Sequence, residues 1–326
     1  MAKNILVTGA GGFIGSHLVE QLAIDGYNVR AFVHYNAPGN WHNLEKLPQD
    51  IRDSIEVVAG DIADPFFVDG AVKSCEIVFH LAALIGIPYS YIAPEAYVST
   101  NIGGTLNVLQ ACRRYSVSRL VHTSTSETYG SAQYTPIDEK HPLVGQSPYS
   151  ASKIGADKLV ESFWRSFALP ACIIRPFNTY GPRQSARAFI PTIIAQALSG
   201  DVVRLGNLDP VRDMTFVKDT IRGFIAGEKS EKCIGTVCNL GVGEGLSIGE
   251  FVNRIGVLLG KELKVETDPQ RARPSNSEVS RLISDNSKIK ELAGWEPCVT
   301  IDDGLQQTIN YIRENLNEYK IDRYNV

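Results

Sequence analysis

Residues 4–15 read Asn4-Ile5-Leu6-Val7-Thr8-Gly9-Ala10-Gly11-Gly12-Phe13-Ile14-Gly15. The aliphatic run predicts a strand over Asn4–Thr8, and helical periodicity begins at Phe13. Three glycines without Cβ atoms allow a tight turn between them, so the backbone can approach a pyrophosphate. The negative charge would meet free N–H groups and the positive end of the helix dipole. The alternative is a tight turn that binds nothing. We expect a dinucleotide here.

Short apolar segments alternate with longer helical segments through the first half of the chain. The candidate strands are Asn4–Thr8, Asn28–Val33, Ile55–Ala59, Ile77–Leu81, Arg119–Thr123 and Ala171–Arg175. The candidate helices are Phe13–Asp25, Pro65–Lys73, Pro94–Tyr115 and Tyr149–Phe167. This order is typical of βαβ units. It predicts an α/β fold built on a doubly wound parallel sheet.

The alternation weakens after Pro176, where prolines separate shorter elements. Asp213–Gly227 predicts a buried strand at Met214–Val217 and then a helix, and we expect this strand to return to the first sheet. We predict a cofactor-binding domain from residues 1–176 plus about 213–240. A smaller α+β lobe, from about 177–212 plus 241–326, would bind the substrate.

The composition is that of a globular protein. The chain has 326 residues, of which 44% are hydrophobic and 21% charged, which excludes disordered and fibrous classes. Lys and Arg number 32 against 36 Asp and Glu, a net charge of −4. No overall charge attracts nucleic acid or an anionic membrane. Any polyanionic ligand needs a local binding arrangement.

The six cysteines form no CxxC pair, so we expect reduced thiols and no metal site. Residues 1–4 run directly into the first predicted strand, which is unlike a secretory signal. The longest apolar stretch, Ile77–Ile87, is far shorter than the roughly 20 residues of a membrane helix. We expect a cytoplasmic protein without a membrane or nucleic-acid partner.

The glycine spacing is GxxGxxG and resembles the extended branch of the short-chain dehydrogenase/reductase superfamily, which implies a Rossmann fold. Gly60-Asp61-Ile62 is similar to the segment that contacts adenine. His80-Leu81-Ala82-Ala83 is similar to the stretch along the pyrophosphate and ribose. The cofactor-binding residues implied by the resemblance are Gly9, Gly12, Phe13, Ile14, Gly15, Asp61, Ile62, Leu81, Ala82, Ala83, Tyr149 and Lys153.

The end of the second predicted strand usually selects the cofactor. An acid there binds the ribose hydroxyls of NAD, and an arginine accommodates the phosphate of NADP. This chain has Phe32-Val33-His34-Tyr35, which supplies neither group. His34 either contacts the adenosine or is an ordinary loop residue. The residues alone leave NAD and NADP open.

Tyr149 and Lys153 lie four residues apart on one face of a predicted helix, with Cβ atoms about 5–6 Å apart. A free phenol has a pKa near 10. A nearby ammonium and the positive nicotinamide ring favour the phenolate, which can accept a proton while a sugar carbon gives up hydride. Lys153 would also hold the nicotinamide ribose. An isolated YxxxK usually marks only a solvated helix turn.

Thr125, Ser126 and Glu127 follow the fifth predicted strand, at the sheet edge where α/β proteins bind ligands. Thr125 occupies the position of the superfamily's catalytic hydroxyl residue. Nucleotide-sugar 4,6-dehydratases carry Thr, then Asp or Ser, then Glu, whereas 4-epimerases lack the Glu. A ketone at C4 acidifies the C5 proton, and Glu127 can remove it so that the C6 hydroxyl leaves. A buried structural Glu is the alternative.

Ser126 leaves the reaction open, because an acid at this position could protonate the departing hydroxyl and a serine is a poor acid. Another donor or water serves, as in the GDP-mannose dehydratase branch, or no hydroxyl is expelled. The latter fits a UDP-glucuronate decarboxylase or an enzyme that converts a 5,6-ene sugar. A 4-epimerase and a non-catalytic dinucleotide sensor are further alternatives. The sensor needs none of these side chains.

The second half resembles the substrate-binding part of the same enzymes. Asn178, in Arg175-Pro176-Phe177-Asn178, is similar to the Asn that contacts the nucleotide-sugar diphosphate. Arg212 and Arg273 match arginines that reach the diphosphate, and guanidinium groups suit its oxygens. The remaining implied substrate-binding residues are Ile85, Arg187, Glu278 and the catalytic Thr125.

The full set of motifs, which spans nearly the whole chain, looks like NAD-dependent 4,6-dehydratases of the legionaminic acid and related nonulosonic-sugar pathways. This resemblance implies NAD and an N-acetylhexosamine carried on UDP or GDP. It also implies a homodimer in which the helices near Pro94–Tyr115 and Tyr149–Phe167 form a four-helix bundle.

Overall fold

The computed structural model describes residues 2–271 and 279–319. The strands within these ranges are β1 (Asn4–Thr8), β2 (Asn28–His34), β3 (Glu56–Gly60), β4 (Ile77–His80), β5 (Arg119–Thr123), β6 (Ala171–Pro176), β7 (Asn178–Tyr180), β8 (Val202–Leu205), β9 (Val211–Arg212), β10 (Met214–Phe216), β11 (Val237–Leu240), β12 (Leu246–Ser247), β13 (Lys264–Thr267) and β14 (Arg281–Leu282).

The helices are α1 (Phe13–Ile24), α2 (Gln49–Ser54), α3 (Pro65–Val72), α4 (Ile87–Ile92), α5 (Pro94–Tyr97), α6 (Gly104–Arg114), α7 (Pro148–Phe167), α8 (Phe189–Ser199), α9 (Val217–Lys229), α10 (Ile248–Leu259), α11 (Ser287–Ala293) and α12 (Ile301–Glu314). A π-helical segment, Val98–Gly103, joins α5 to α6. None of the helices in the described ranges combines the length and apolar character of a bilayer-spanning segment.

Seven parallel strands form the main sheet, in the order β11-β6-β5-β4-β1-β2-β3. The chain moves outward from β1 through β2 to β3 and then resumes on the other side of β1 with β4. The direction of strand order reverses between β1 and β4, and in open α/β sheets the crevice at such a reversal binds the ligand. The predicted doubly wound sheet is confirmed, and it places the glycine loop at this crevice.

The sheet is buried on both faces because its strands are almost wholly apolar. Ile5 and Val7 of β1 belong to one core cluster together with Phe79. Leu6, between them in sequence, belongs to a second cluster with Val78. Successive side chains of a strand point to opposite faces, so helices must cover both sides of the sheet.

The predicted elements of the first half are confirmed with ends that differ by one or two residues. One difference is larger, since the helix expected over Pro94–Tyr115 is interrupted by the π-helical segment Val98–Gly103. Within that segment the buried Asn101 accepts a hydrogen bond from Leu84 N at 2.8 Å and donates to Leu84 O at 3.0 Å. The apolar pattern alone did not indicate this π-helical turn.

The expected return of Met214–Val217 to the main sheet is wrong. β10 does lie at Met214–Phe216, but it pairs in parallel with β7 in a separate two-stranded sheet. The strand that returns is β11, which pairs with β6, while α9 packs against β5 and β6. Further small sheets join β9 to β12 and β14, and β8 to β13.

Candidate active site

The loop after β1 and the first turn of α1 form a cradle of backbone atoms. Gly9 has a φ of 70°, and a Cβ there would lie 2.8 Å from the Ala82 nitrogen. A Cβ on Gly15 would lie 2.2 Å from the Gly9 oxygen. No side chain caps α1 at Gly12, so N–H groups of its first turn remain for a ligand. The cradle therefore fits a dinucleotide pyrophosphate.

A buried hydroxyl fixes the segment after β4 beside this cradle. Thr8 Oγ1 accepts hydrogen bonds from Leu81 N and Ala82 N, both at 3.1 Å, and donates to His80 Nδ1 at 2.8 Å. His80 Nε2 donates to Thr105 Oγ1 at 3.0 Å, because the Thr105 hydroxyl itself donates to Asn101 O at 2.6 Å. Burial lowers the pKa of His80 well below its ordinary value.

The remaining predicted cofactor residues lie at or just past the same edge of the sheet. His34 ends β2 and is exposed. Asp61 is exposed and its Oδ1 accepts a hydrogen bond from Ala63 N at 2.9 Å, while Ile62 is buried. The half-buried members of the predicted set are Gly9, Phe13, Ile14, Leu81, Ala82 and Ala83. Contacts of His34 and Asp61 with adenosine remain predictions.

Tyr149 lies in the first turn of α7, whose start is fixed by its sequence. Ser147 caps the helix by accepting a hydrogen bond from Ser150 N at 3.1 Å, and Pro148 occupies the first helical position. The Tyr149 ring packs edge-on against Tyr97, with centroids 6.2 Å apart. Burial raises the pKa of the Tyr149 phenol.

Thr125 and Glu127 adjoin this phenol. A 3₁₀ turn, Ser126–Tyr129, follows β5 and is capped by Thr125 Oγ1, which accepts a hydrogen bond from Glu127 N at 3.2 Å. Thr125 is also hydrogen-bonded to Tyr149, which lowers the pKa of the phenol, while the Glu127 carboxylate raises it. Thr125 and Glu127 are half-buried and Ser126 is buried. One phenol, one hydroxyl and one carboxylate thus form a single cluster.

Lys153 lies one helical turn below Tyr149 and is buried. Its Nζ donates to the Thr123 carbonyl oxygen at 2.6 Å. Burial lowers the pKa of Lys153 to about 8, against the opposing effect of the Asp157 carboxylate. For the Tyr149 phenol, burial is the largest influence among the protein's own groups, and it raises the pKa instead of lowering it as expected from a nearby ammonium.

The predicted substrate residues lie on several different elements. Asn178 begins β7, and its Nδ2 is buried without a hydrogen-bond partner among the described residues. Arg212 is buried, with Nη1 donating to its own neighbour Val211 O at 3.1 Å. Ile85 is exposed, and the exposed Arg187 exerts its charge on Tyr97. Arg273 and Glu278 lie outside the described residues.

Several residues around the cluster were not anticipated from the sequence. Tyr97 packs on Tyr149 and donates to Gly86 O at 2.5 Å. Asn101, which is hydrogen-bonded to Leu84 in the loop after β4, also donates to Ser152 Oγ at 2.9 Å. It therefore links that loop to α7. Asp157 was recognisable as the next acid on the Tyr149 face of α7, four residues after Lys153. Nothing in the sequence distinguishes Tyr97 or Asn101 from core residues.

Curated relatives share the fold over nearly the whole chain. The dTDP-glucose 4,6-dehydratase of Actinoplanes sp. is 32% identical over 96% of this chain and 98% of its own. UDP-glucuronic acid decarboxylase 1 of Xenopus tropicalis is 29% identical over 99% of this chain and 75% of its own. Relatives that catalyse different reactions therefore have nearly the same sequence identity to this chain.

Solved structures agree. The dTDP-glucose 4,6-dehydratase of Streptomyces venezuelae, solved with NAD bound, has a TM-score of 0.87 at 30% identity, covering 97% of this chain and 99% of its own. UDP-glucuronic acid 4-epimerase of Bacillus cereus, in complex with UDP-glucuronic acid and NAD, has a TM-score of 0.86 at 29% identity, covering 96% and 99%. Both of these neighbours were solved with NAD bound.

The GDP-mannose 4,6 dehydratase family model matches residues 6–308. The glycine cradle and the Thr125, Tyr149 and Lys153 arrangement lie within that match. The chain therefore belongs to the GDP-mannose 4,6-dehydratase family, and it is an extended short-chain dehydrogenase/reductase of the NAD-dependent nucleotide-sugar dehydratase, decarboxylase and epimerase group.

Proposed function

We propose that the protein is a nucleotide-sugar 4,6-dehydratase that converts a UDP- or GDP-linked N-acetylhexosamine to its 4-keto-6-deoxy form. The observation that carries this proposal is the half-buried Glu127 carboxylate beside the hydrogen-bonded Thr125 and Tyr149. An epimerase needs a base only at the C4 hydroxyl. A second base next to it suits a reaction that also removes the neighbouring C5 proton.

The first step is oxidation at C4. Tyr149 accepts the C4 hydroxyl proton, and Thr125 holds that hydroxyl in place through its own hydrogen bond. Lys153 holds the nicotinamide ribose and supports the phenolate with its charge. When bound, NAD would supply the redox chemistry as a reversible acceptor of the C4 hydride, while the three side chains hold the substrate and move its proton.

Elimination follows from the acidity that the C4 ketone gives to C5. Glu127 takes the C5 proton, and the C6 hydroxyl leaves. The Ser126 hydroxyl is a far weaker acid than a carboxylic acid, so the proton that leaves with the C6 oxygen comes from Glu127, which has just become protonated. The hydride removed from C4 would then add to C6, C5 would take up a proton from solvent, and Tyr149 would release the C4 hydroxyl proton to solvent. The net change is the loss of one water, with no net change in the redox state of the cofactor.

Substrate binding would use the second lobe. We infer that residues 1–176 with about 213–240 bind the cofactor and that the remainder binds the nucleotide sugar. The unpartnered Nδ2 of Asn178 is suited to donate to a diphosphate oxygen. Arg212 and Arg273 would supply positive charge there. Ile85, Arg187 and Glu278 would contact the sugar or the nucleotide.

We place the reaction in nonulosonic-sugar synthesis in the cytoplasm and propose a homodimer. The six cysteines are all unpaired, as in a reducing compartment. The proposed dimer contact has exposed apolar side chains, Val98 at 54% and Leu106 at 37% exposed. Apolar positions of this kind on neighbouring turns suit burial against a second copy.

Decarboxylation of UDP-glucuronate is the second candidate. Ser126 favours it, because a 4-keto acid loses carbon dioxide without an acid at that position. Incubation with UDP-N-acetylglucosamine, its GDP analogue and UDP-glucuronate in deuterated water, followed by mass spectrometry, separates the two. Loss of water with one deuterium at C5 supports the dehydratase. Loss of carbon dioxide from the glucuronate, with no dehydration of either hexosamine, overturns it.

A further inference from the structure

A buried group of charged side chains lies beneath Lys153. Asp157 follows Lys153 by one turn of α7, so Tyr149, Lys153 and Asp157 lie along one face of the helix. Asp157 has no exposed surface, and Lys153 and Arg175 are 4% and 2% exposed. Charges are almost never buried to this degree unless they are paired.

The Asp157 carboxylate is held asymmetrically. Its Oδ2 accepts hydrogen bonds from Arg175 Nη2 at 2.7 Å, from Arg175 Nε at 3.2 Å and from Ser124 Oγ at 2.7 Å. Its Oδ1 has no hydrogen-bond partner among the described residues and lies 3.4 Å from His122 Nε2. Arg175 is fixed from the other side by Tyr129, whose hydroxyl accepts from Nη1 at 3.0 Å. Arg175 and Ser124 therefore fix the carboxylate beneath the lysine.

The neighbouring histidines carry no charge near neutral pH. Burial lowers the pKa of His122 to about 4, with Lys153 adding to the effect. Burial likewise lowers the pKa of His80, whose ring centroid is 5.4 Å from that of His122. The cluster thus contains two cations, Lys153 and Arg175, and one anion, Asp157.

We propose that Asp157 is a positioning residue that keeps Lys153 in its ammonium form, with Arg175 limiting how much of the carboxylate's field reaches the lysine. This inference rests on the proposed function, because an ammonium at Lys153 is what holds the ribose and supports the phenolate. Without Asp157 the cluster would hold two buried cations and no anion, and the lysine is the one that can lose its proton.

The charged and titratable groups around Lys153 come from four elements of the core. Asp157 on α7 raises the pKa of Lys153, and Lys153 in turn acts electrostatically on His80 of β4 and His122 of β5. Tyr149 lies one turn before Lys153 on α7, and Arg175 on β6 is paired with Asp157. Of these, Asp157 is the anion near neutral pH. A single buried opposite charge typically changes a neighbour's pKa by roughly 1–3 units. Its removal should therefore be measurable as a lower pKa of Lys153.

The test measures the lysine directly. The NAD-loaded protein is labelled with [13Cε]-lysine, the Lys153 resonance is assigned by its loss in Lys153→Arg, and its chemical shift is followed with pH. The pKa should be lower in Asp157→Asn than in the wild type by about one pH unit or more. In Arg175→Gln the pKa of Lys153 should rise, because the Asp157 carboxylate is then no longer paired with the arginine. Asp157→Glu should restore a value near that of the wild type.

A matched control is Asp219→Asn. Asp219 is also fully buried and paired with an arginine, Arg222, at 2.6 Å, but it lies on α9 outside the cluster. It should lower stability and leave the Lys153 titration unchanged. A purely structural Asp157 would behave like Asp219, and equal Lys153 pKa values in Asp157→Asn and the wild type would overturn the proposal.

The change in the Lys153 pKa expected for Arg175→Gln has the opposite sign to that expected for Asp157→Asn. It can therefore test the proposal even if Asp157→Asn does not fold. An unchanged or lowered pKa of Lys153 in Arg175→Gln would then refute the proposal. No sugar substrate is present in this titration. Opposite changes in the two variants without turnover of any nucleotide sugar would therefore reject the proposed function and support the role of Asp157.

Discussion

Gly15→Ala tests whether the glycine cradle binds the cofactor through close backbone packing. The new Cβ would lie 2.2 Å from Gly9 O and 2.9 Å from Gly9 C. Both are backbone atoms, so no side chain can rotate away. An ordinary contact requires the turn to open by about 1 Å. This displacement would move the backbone N–H groups that are proposed to bind the pyrophosphate.

The magnitude follows from the hydrogen bonds that such a displacement removes. A hydrogen bond to a charged group contributes about 1.5–3 kcal/mol. Loss of one or two of them gives about 3 kcal/mol, or roughly a 100-fold weaker Kd for NAD. Crowding of the backbone should also lower the free energy of unfolding by about 1–3 kcal/mol. Calorimetric titration of cofactor-stripped protein and denaturant unfolding measure the two quantities.

Gly249→Ala is the matched control, because Gly249 also lies near the start of a helix, α10. A Cβ there would meet nothing closer than Leu208 Cβ at 3.8 Å. The substitution should leave NAD binding unchanged and stabilise the protein by about 0.5–1 kcal/mol. If Gly15→Ala binds NAD within threefold of the wild type at unchanged stability, the assignment of the cradle to the pyrophosphate is wrong.

Three further predictions concern the reaction, the acid stability and the assembly. Tyr149→Phe should abolish cofactor reduction at 340 nm in a single turnover, whereas Glu127→Gln should accumulate reduced cofactor; normal turnover of Glu127→Gln would remove Glu127 as the C5 base. Burial lowers the pKa of His17 to about 3 from 6.5, so its contribution to stability is present above pH 6.5 and is lost as pH falls, by about 2 kcal/mol at pH 5. His17→Gln should weaken that acid destabilisation in urea titrations at pH 7.5 and 5, and an identical loss in both proteins would contradict it. Leu106→Glu should convert a dimer to monomers in light scattering after gel filtration, while the exposed Val257→Glu on α10 should not.

The sequence predicts the main sheet well because its strands are strongly apolar and its helices long enough to show periodicity. Asn4–Thr8 and Arg119–Thr123 were predicted to the residue. The partner of Met214–Phe216 was not, because a three-residue strand carries no information on which edge it will join. Pairing with β7 depends on how the second lobe packs, and that is a long-range property.

The same distinction applies to the site. Tyr149 and Lys153 were predictable because helix geometry alone places them on one face, and Thr125 because it follows a strand at the ligand-binding edge. Asp157 could be placed on the helix but not paired with Arg175, since the two residues meet only when β6 packs beside α7. In the sequence, Arg175 is simply one residue of the Arg175–Asn178 motif. Its 2% exposure and its pairing with Asp157 show that it is a buried partner of that carboxylate.

The environment of Tyr149 also bears on how the proposed reaction would handle its proton. Burial and the Glu127 carboxylate both raise the pKa of the phenol, and the hydrogen bond from Thr125 is the opposing influence within the cluster. These influences favour the protonated phenol, so Tyr149 is suited to keep a proton once it has accepted one. A bound, oxidised nicotinamide would supply a nearby positive charge that favours the phenolate. In the proposed reaction the protonation state of Tyr149 would therefore depend on the charge of the cofactor, and Tyr149 would release its proton most readily while that charge is present.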